Sequence, residues 1–288
     1  MEISGISQAI IQGLAFGGVF ALISGGMTLF HNVTNHVNVA VGSLMILDMY
    51  IMLILQQALG LDAYIVALIA LPILVLFALF MWYVTLKRCL HYDHLMLFQL
   101  FVAWILVIEF FCVIIWGSDF RVMKSFIALS KVPVGPLVMR TTQLIAFLVS
   151  LGVIGALYWM IMKTEFGCTI RATAYLPDIA RLMGINVDRL QLIIFVLSIV
   201  MVGVAAGVLA PYFTFSPYSG LTLALFSLII LVMGGFGSWE GTLVASLVIG
   251  LVYGISSFYI PNAMAILVPY FLFYLVLVFR PQGLFGVR

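Results

Sequence analysis

The fold class the sequence predicts is all-α: a polytopic transmembrane helical bundle of eight or nine membrane segments, some of them broken or half helices. Three observations predict it. Of 288 residues, 65% are hydrophobic and 8% charged, and mean hydropathy is +1.29. Soluble domains run at roughly 45–50% apolar and about 25% charged, so this chain lacks the charge to coat a water-facing surface. The few charges punctuate apolar runs of about 20 residues, the length that crosses roughly 30 Å of hydrocarbon. Clusters of Gly, Pro and polar residues fall where two of those runs should be continuous.

Taken in order, the predicted spans are 8–30, 38–57, 62–86, 96–116, 142–162, 190–210, 220–234, 241–260 and 262–279. The first opens without a basic n-region or an AxA-like cleavage site and is expected to be retained. The second starts among Asn35, Asn38, Gly42 and Ser43, which predicts a broken helix. Non-helical backbone survives in lipid only where protein buries it or it lines a wet cavity. The seventh is short, Leu221 to Met233, and sits between PYFTFSPYSG and GGFGSWEG, so it crosses only part of the bilayer or makes an eighth or ninth crossing with its neighbours. Interrupted segments in the two halves of a chain point to a transport site, because half-helix ends and freed carbonyls face the solute. Ordinary loops are the plainer alternative.

Orientation follows from Lys and Arg in the loops. With nine crossings, Lys87, Arg88, Lys163, Arg171, Arg181, Arg189, Arg280 and Arg288 fall in the cytoplasm, against Arg121, Lys124, Lys131 and Arg140 in the longest outer loop. The N-terminus is then outside and the C-terminus inside. Small residues at four-residue spacing, Gly13/Gly17, Gly203/Gly207 and Gly250/Gly254, predict close helix contacts.

The loop Lys163 to Leu190 is the most polar stretch. Within it, Ala172 to Met183 predicts a short amphipathic helix offering Ala174, Ile179, Leu182 and Met183, with Pro177 near its start and Gly184 as C-cap. Such a helix either seats in a partner's groove or rests on lipid headgroups. Two acids, Asp48 and Glu109, fall at membrane depth, where ionisable groups are costly and therefore candidates for function. The histidines His31, His36, His91 and His94 are expected in solvated or headgroup-contacting turns.

Several classes are excluded. Twelve basic and ten acidic residues leave a net charge of +2, too little field for nucleic acid. Cys89, Cys112 and Cys168 form no CxxC and have no His at ligand spacing, so no disulfide frame and no metal site are implied. There is no GxxxxGK[ST], HExxH or GxSxG, so no ATP hydrolysis through a P-loop and no cofactor are expected in this chain.

The residues also resemble a known family, the integral membrane permeases of bacterial branched-chain amino acid type ABC importers, with urea, amide and aromatic-acid relatives. GGVFALISGGMTLF, Gly17 to Phe30, is similar to the family's opening pattern, and Asn38-Val39-Ala40-Val41-Gly42 to its NFAHG motif. Gly167 to Leu190 resembles the signature GxxxRAxAxDxxxAxLxGINxxRV, Met233 to Ser246 resembles LGGxGSxxGAxxGG, and Pro281 to Gly286 matches PxGLFG. The likeness covers nearly the whole chain and is poorest from His91 to Arg140.

The resemblance implies an ABC importer permease fold, one permease domain over 1–288, with a cytoplasmic coupling loop at 163–189. The implied partners are a second homologous permease, two ATPase subunits that use the ATP, a periplasmic substrate-binding protein and membrane lipid, in the bacterial inner membrane. It implies a path along Thr28, Asn38, Gly42, Asp48, Glu109, Gly234 and Gly235. ATPase coupling falls to Arg171, Ala174, Tyr175, Asp178, Ala180, Leu182, Met183 and Gly184. Departures along the path, Val39 and Val41 in the NFAHG-like motif, Ser43 after it and the acid Asp48, point to a polar solute that need not be a branched-chain amino acid. A self-sufficient channel or ion-coupled carrier for a small solute such as urea is the rival reading.

Overall fold

The computed structural model describes residues 2–90, 92–125, 131–134 and 137–286. His91 and Arg288 lie outside the described residues, as do the side chains of Lys131 and Tyr175. Among the described residues, seven helices are long and apolar enough to cross a membrane, and two shorter apolar helices, Ser219–Gly234 and Leu267–Phe279, accompany them.

α1 (Glu2–Thr34) is the central post. Its 33 residues reach about 50 Å at roughly 1.5 Å per residue, longer than a hydrocarbon core is thick. It packs on α6 (Thr141–Lys163), α9 (Val187–Leu209), α10 (Ser219–Gly234) and most extensively α11 (Trp239–Tyr259). The small-residue spacing explains that last contact. A Cβ at Gly250 would stand 2.3 Å from Gly17 Cα, and one at Gly254 would stand 2.4 Å from Gly13 Cα, so the two helices touch backbone to backbone. The two predicted pairs are thus one interface, whereas Gly203 and Gly207 face α3 (Ala63–Met81) through Leu74 and Ala67.

α2 (Val41–Leu59) corrects an expectation. It is continuous, with Gly42 and Ser43 inside it, and the interruption is confined to the stretch before it. There Asn35 adopts φ 57°, a left-handed value that Asn tolerates at a helix end. Asn38 Oδ1 then accepts from Ala40 N–H at 3.0 Å, a local turn that serves backbone which no helix satisfies.

α3 starts on Asp62, whose carboxylate accepts from Tyr64 N–H at 3.2 Å, and runs through a π-turn (Trp82–Leu86) into α4 (Lys87–Cys89). α5 (His94–Trp116) follows. Both long helices turn Leu68, Leu76, Leu106 and Ile114 outward, the apolar exterior of a helix that faces lipid. The predicted long outer loop is not wholly irregular: β1 (Lys131–Val134) pairs antiparallel with β2 (Leu137–Arg140). The loop after α6 holds two helices, α7 (Glu165–Tyr175) and α8 (Pro177–Leu182), where a single one over Ala172 to Met183 was expected. Pro177 breaks it by pushing Leu176 out of the helical region.

α10 mirrors α2. Each is preceded by a non-helical stretch that is partly buried, residues 35–40 and 210–218, and the two helices meet at their N-terminal ends. A Cβ at Gly42 would lie 2.1 Å from the Gly220 carbonyl oxygen. From that junction α2 runs toward the 117–125 segment, where Gln56 donates to Lys124 O. α10 runs the other way, toward the C-terminal end of α1, where Asn32 donates to Gly237 O at 3.2 Å. α12 (Asn262–Ala265) and α13 (Leu267–Phe279) close the bundle. Residues 280–286 fold back, and the N–H groups of Leu284 and Phe285 donate to Met233 O and Gly234 O at 2.8 and 3.1 Å. Two carbonyls left open at the end of α10 are satisfied in this way.

Candidate functional site

The face that carries the α1 C-terminus also carries α7, α8, the α10–α11 turn and the start of α5. Lys87, Arg88, Lys163, Arg171, Arg181, Arg189 and Arg280 stand at helix ends or in connections on it. The opposite face carries Arg121, whose backbone pairs with Phe215, and Lys124. The charge asymmetry expected of a nine-segment chain is therefore present in space.

Three of the expected path residues come together near the basic face. Thr28 and Thr242 oxygens are 3.0 Å apart, and each hydroxyl also reaches the carbonyl four residues back, Ser24 O at 2.8 Å and Ser238 O at 2.9 Å. Two hydroxyl hydrogens serve three contacts, so the pair can exchange donors without moving its helices. Gly234 abuts the same turn, its Cβ position 2.6 Å from Thr242 N. Gly235, at φ 99°, lies against Gly286, where a side chain would be both strained and obstructed.

The other path residues sit elsewhere. Asn38 and Gly42 belong to the α2–α10 junction. Asn38 Nδ2 and Ser43 Oγ are buried there without a hydrogen-bond partner. Asp48 is fully enclosed, both carboxylate oxygens lack a partner, and it lies across from Gly203 beside Leu74. Glu109 is a half-exposed residue of α5, between the buried Ile108 and the exposed Phe110 and Phe111. The structure joins neither acid to the Thr28–Thr242 group.

The residues expected to couple to the ATPases form a continuous unit. Thr164 caps α7, accepting from Gly167 N–H at 3.2 Å. Gly167 has no room for a side chain against the Ile161 carbonyl, and the Arg171 guanidinium donates to that same oxygen. α7 is thereby bound to the end of α6. Ala180 is buried, Asp178 lies in the first turn of α8, and Leu182 and Met183 are 86% and 79% exposed. Ala174 is half-buried on α7. Gly184 follows at φ 86°, a left-handed position that returns the chain to α9, with its N–H on Arg181 O. Arg181 and Asp188 approach to 3.8 Å. Tyr175 ends α7.

One histidine, His36, is placed otherwise than expected, whereas His94 is exposed. His36 is only 7% exposed, and its Nδ1 is 3.0 Å from His94 Nδ1, so one ring donates and the other accepts. Burial, reinforced by the neighbouring His94, holds His36 below the usual histidine range. Thr242, Gly220, Trp239 and the His36–His94 pair were missed by sequence reasoning. Thr242 lies just past GGFGSWEG, but nothing in the one-dimensional order pairs it with Thr28.

Residues 9–277 match the profile of one family, described as branched-chain amino acid transport system / permease component. The chain belongs to that family. It is an ABC importer permease, and its apolar helices make it a multi-pass membrane protein. It is 26% identical over 270 residues to the probable branched-chain amino acid transport permease protein LivH of Methanocaldococcus jannaschii, covering 89% of this chain and 83% of that one. Against the high-affinity branched-chain amino acid transport system permease protein LivH of Escherichia coli K12 it is 31% identical over 147 residues, 51% of this chain and 48% of that one. Against the permease BraD of Pseudomonas aeruginosa it is 24% identical over 298 residues, 99% and 97% of the two chains.

Proposed function

We propose that this permease is one of two homologous membrane subunits of an ATP-driven importer in the bacterial inner membrane, moving a small polar solute, most simply a branched-chain or other amino acid. Two ATPase subunits bind and hydrolyse the ATP, a periplasmic binding protein delivers the solute, and this chain itself holds no cofactor and performs no catalysis. The named relatives support the solute class. The observation that carries the coupling is α8 with Met183 just after it, which together offer Ile179, Leu182 and Met183 to solvent on the basic, cytoplasmic face while α7 is bound to α6. An apolar helical face of this kind is what a groove on a partner recognises.

The mechanism follows from those attachments. When the ATPases close, they push α8, and Arg171 and the Gly167 contact pass the displacement to the end of α6. α6 lies along α1, and α1 is locked by its glycines to α11, so the movement reaches the Thr28–Thr242 pair and the turn at Gly234 and Gly235. Asn38 and Gly42 line the solute's route at the α2–α10 junction. Asp48 and Glu109 meet the solute only once α2 has shifted against its neighbours. Copurification of the chain from native membranes tests this reading. Recovery of two ATPase chains and a second permease, with ATP-dependent amino acid uptake in liposomes, is expected. Gradient-driven transport by this chain alone would replace the reading with the channel or carrier.

A further inference from the structure

A cavity of about 500 Å³ lies between α7 and the rest of the bundle, separate from the α2–α10 junction. Its volume is that of a small-molecule site. It is bounded by the end of α1, the end of α6, α7 and the first turn of α11. Its charged groups are of opposite sign: Arg171 on α7 and Glu240 in the first turn of α11. The two do not pair with each other; among the described residues, the ion pair found joins Arg181 and Asp188.

Both charges keep capacity to spare. Arg171 donates through one terminal nitrogen to Ile161 O, and a guanidinium carries five N–H donors. Among the described residues, the hydrogen bond found at Glu240 comes from the Tyr158 hydroxyl, at 3.4 Å. A carboxylate has about four lone-pair positions. Three polar atoms of residues on the cavity wall, His31 Nδ1, Asn32 Oδ1 and Trp239 Nε1, are buried with no hydrogen-bond partner. Buried polar atoms are rarely left open, but these three are closed off from the cavity's open space, so Arg171 and Glu240 are the groups it offers to a guest. The remaining wall is apolar, from Leu29, Ile161 and Ile170.

We infer that this cavity is a second binding site, for an α-amino acid with an apolar side chain, with Arg171 holding the carboxylate, Glu240 the ammonium and the aliphatic wall the side chain. An anion alone would face Glu240, and a cation alone would face Arg171, so the pair selects a zwitterion. The assignment of the cavity to the cytoplasmic side rests on the function proposed above; the binding chemistry does not. A guest there bridges α7 to α1 and α11 and stiffens the segment on which the ATPases push. An amino acid accumulated inside the cell then slows further import.

The test uses the full chain with its copurified subunits in lipid nanodiscs, without binding protein, titrated with L-leucine and followed by tryptophan fluorescence. Saturable binding of L-leucine is expected. Isovalerate, which lacks the ammonium, and isoamylamine, which lacks the carboxylate, should bind at least tenfold more weakly. Glu240→Gln should weaken L-leucine at least tenfold while melting at the wild-type temperature. Absence of saturable binding, binding of either half-zwitterion as tightly as L-leucine, or a folded Glu240→Gln that binds as wild type overturns the site. Should Glu240→Gln fail to fold, the comparison of the three ligands on the unmodified protein decides alone. Liposome uptake separates the two proposals. Glu240-dependent binding without ATP-driven amino acid uptake keeps this site and removes the proposed function, and uptake without such binding does the reverse.

Discussion

At the scale of single residues, Asp48 is the anomaly. It is a carboxyl group enclosed among apolar neighbours, with no partner for either oxygen. Removing an unsatisfied buried polar group is cheap and often favourable, so Asp48→Leu should leave the protein at least as heat-stable as wild type, measured by thermal unfolding in detergent. Asp48→Asn, which keeps the shape, should alter solute affinity or selectivity in uptake assays. If the kinetics for every solute tested stay at wild-type values, Asp48 belongs to packing. His36 carries a pH prediction. Burial and His94, with His31 close by, keep it neutral, so its pKa in the folded chain lies below the ordinary 6.5. The unfolded chain then takes up the proton first, and stability is full above about pH 6.5 and declines as the pH falls below it. The melting temperature should drop between pH 7.5 and 5.5, by less in His36→Gln. Asp48 stood out in the sequence because an acid in an apolar run is conspicuous. The environment of His36 did not, since it depends on α5 arriving from 58 residues away.

Elements show a similar division. The helices were legible because an apolar run of membrane length has few alternatives, and each predicted span has its counterpart within a few residues. What sequence reading got wrong were local stops. Gly42 and Ser43 look like breakers, yet inside lipid a small residue is as often the point where two helices touch, and Gly42 meets Gly220. The α7–α8 break shows the reverse error, a Pro read as near a helix start when it divides the segment. Two predictions belong here. Gly250→Leu puts a side chain where Gly17 backbone already lies, and the protein should fail to assemble, seen as aggregation on size-exclusion chromatography. Gly184→Val or Asp178→Lys should leave the chain inserted and folded but uncouple ATP hydrolysis from uptake in liposomes. The valine adds about 1–3 kcal/mol of backbone strain at φ 86°. Normal uptake in both variants would remove the coupling role from this loop.

For the whole molecule, the informative relation is the one between α2 and α10, which meet at their N-termini and leave toward opposite faces. Sequence inspection found both interrupted regions, but not that they meet, because close packing between residues 42 and 220 has no signature in the order of residues. The same holds for the cavity under α7, whose walls come from four separate stretches. If the α2–α10 junction opens during transport, a cysteine in place of the buried Ser43 should be closed to a thiol reagent in resting transporter and react during ATP turnover. Equal labelling in both conditions would place the moving parts elsewhere.

The fold-back of residues 280–286 has a consequence for how the protein is made. Met233 and Gly234 obtain their hydrogen-bond donors from Leu284 and Phe285, some fifty residues further along the chain. At about 5–20 residues per second, those donors leave the ribosome roughly 3–10 s after the carbonyls they serve. During that interval α10 and α11 are already being delivered to the bilayer with one helix end unfinished. This backbone clasp therefore closes only after α13 has been delivered, and a nascent chain arrested before residue 284 should be a ready substrate for membrane proteases.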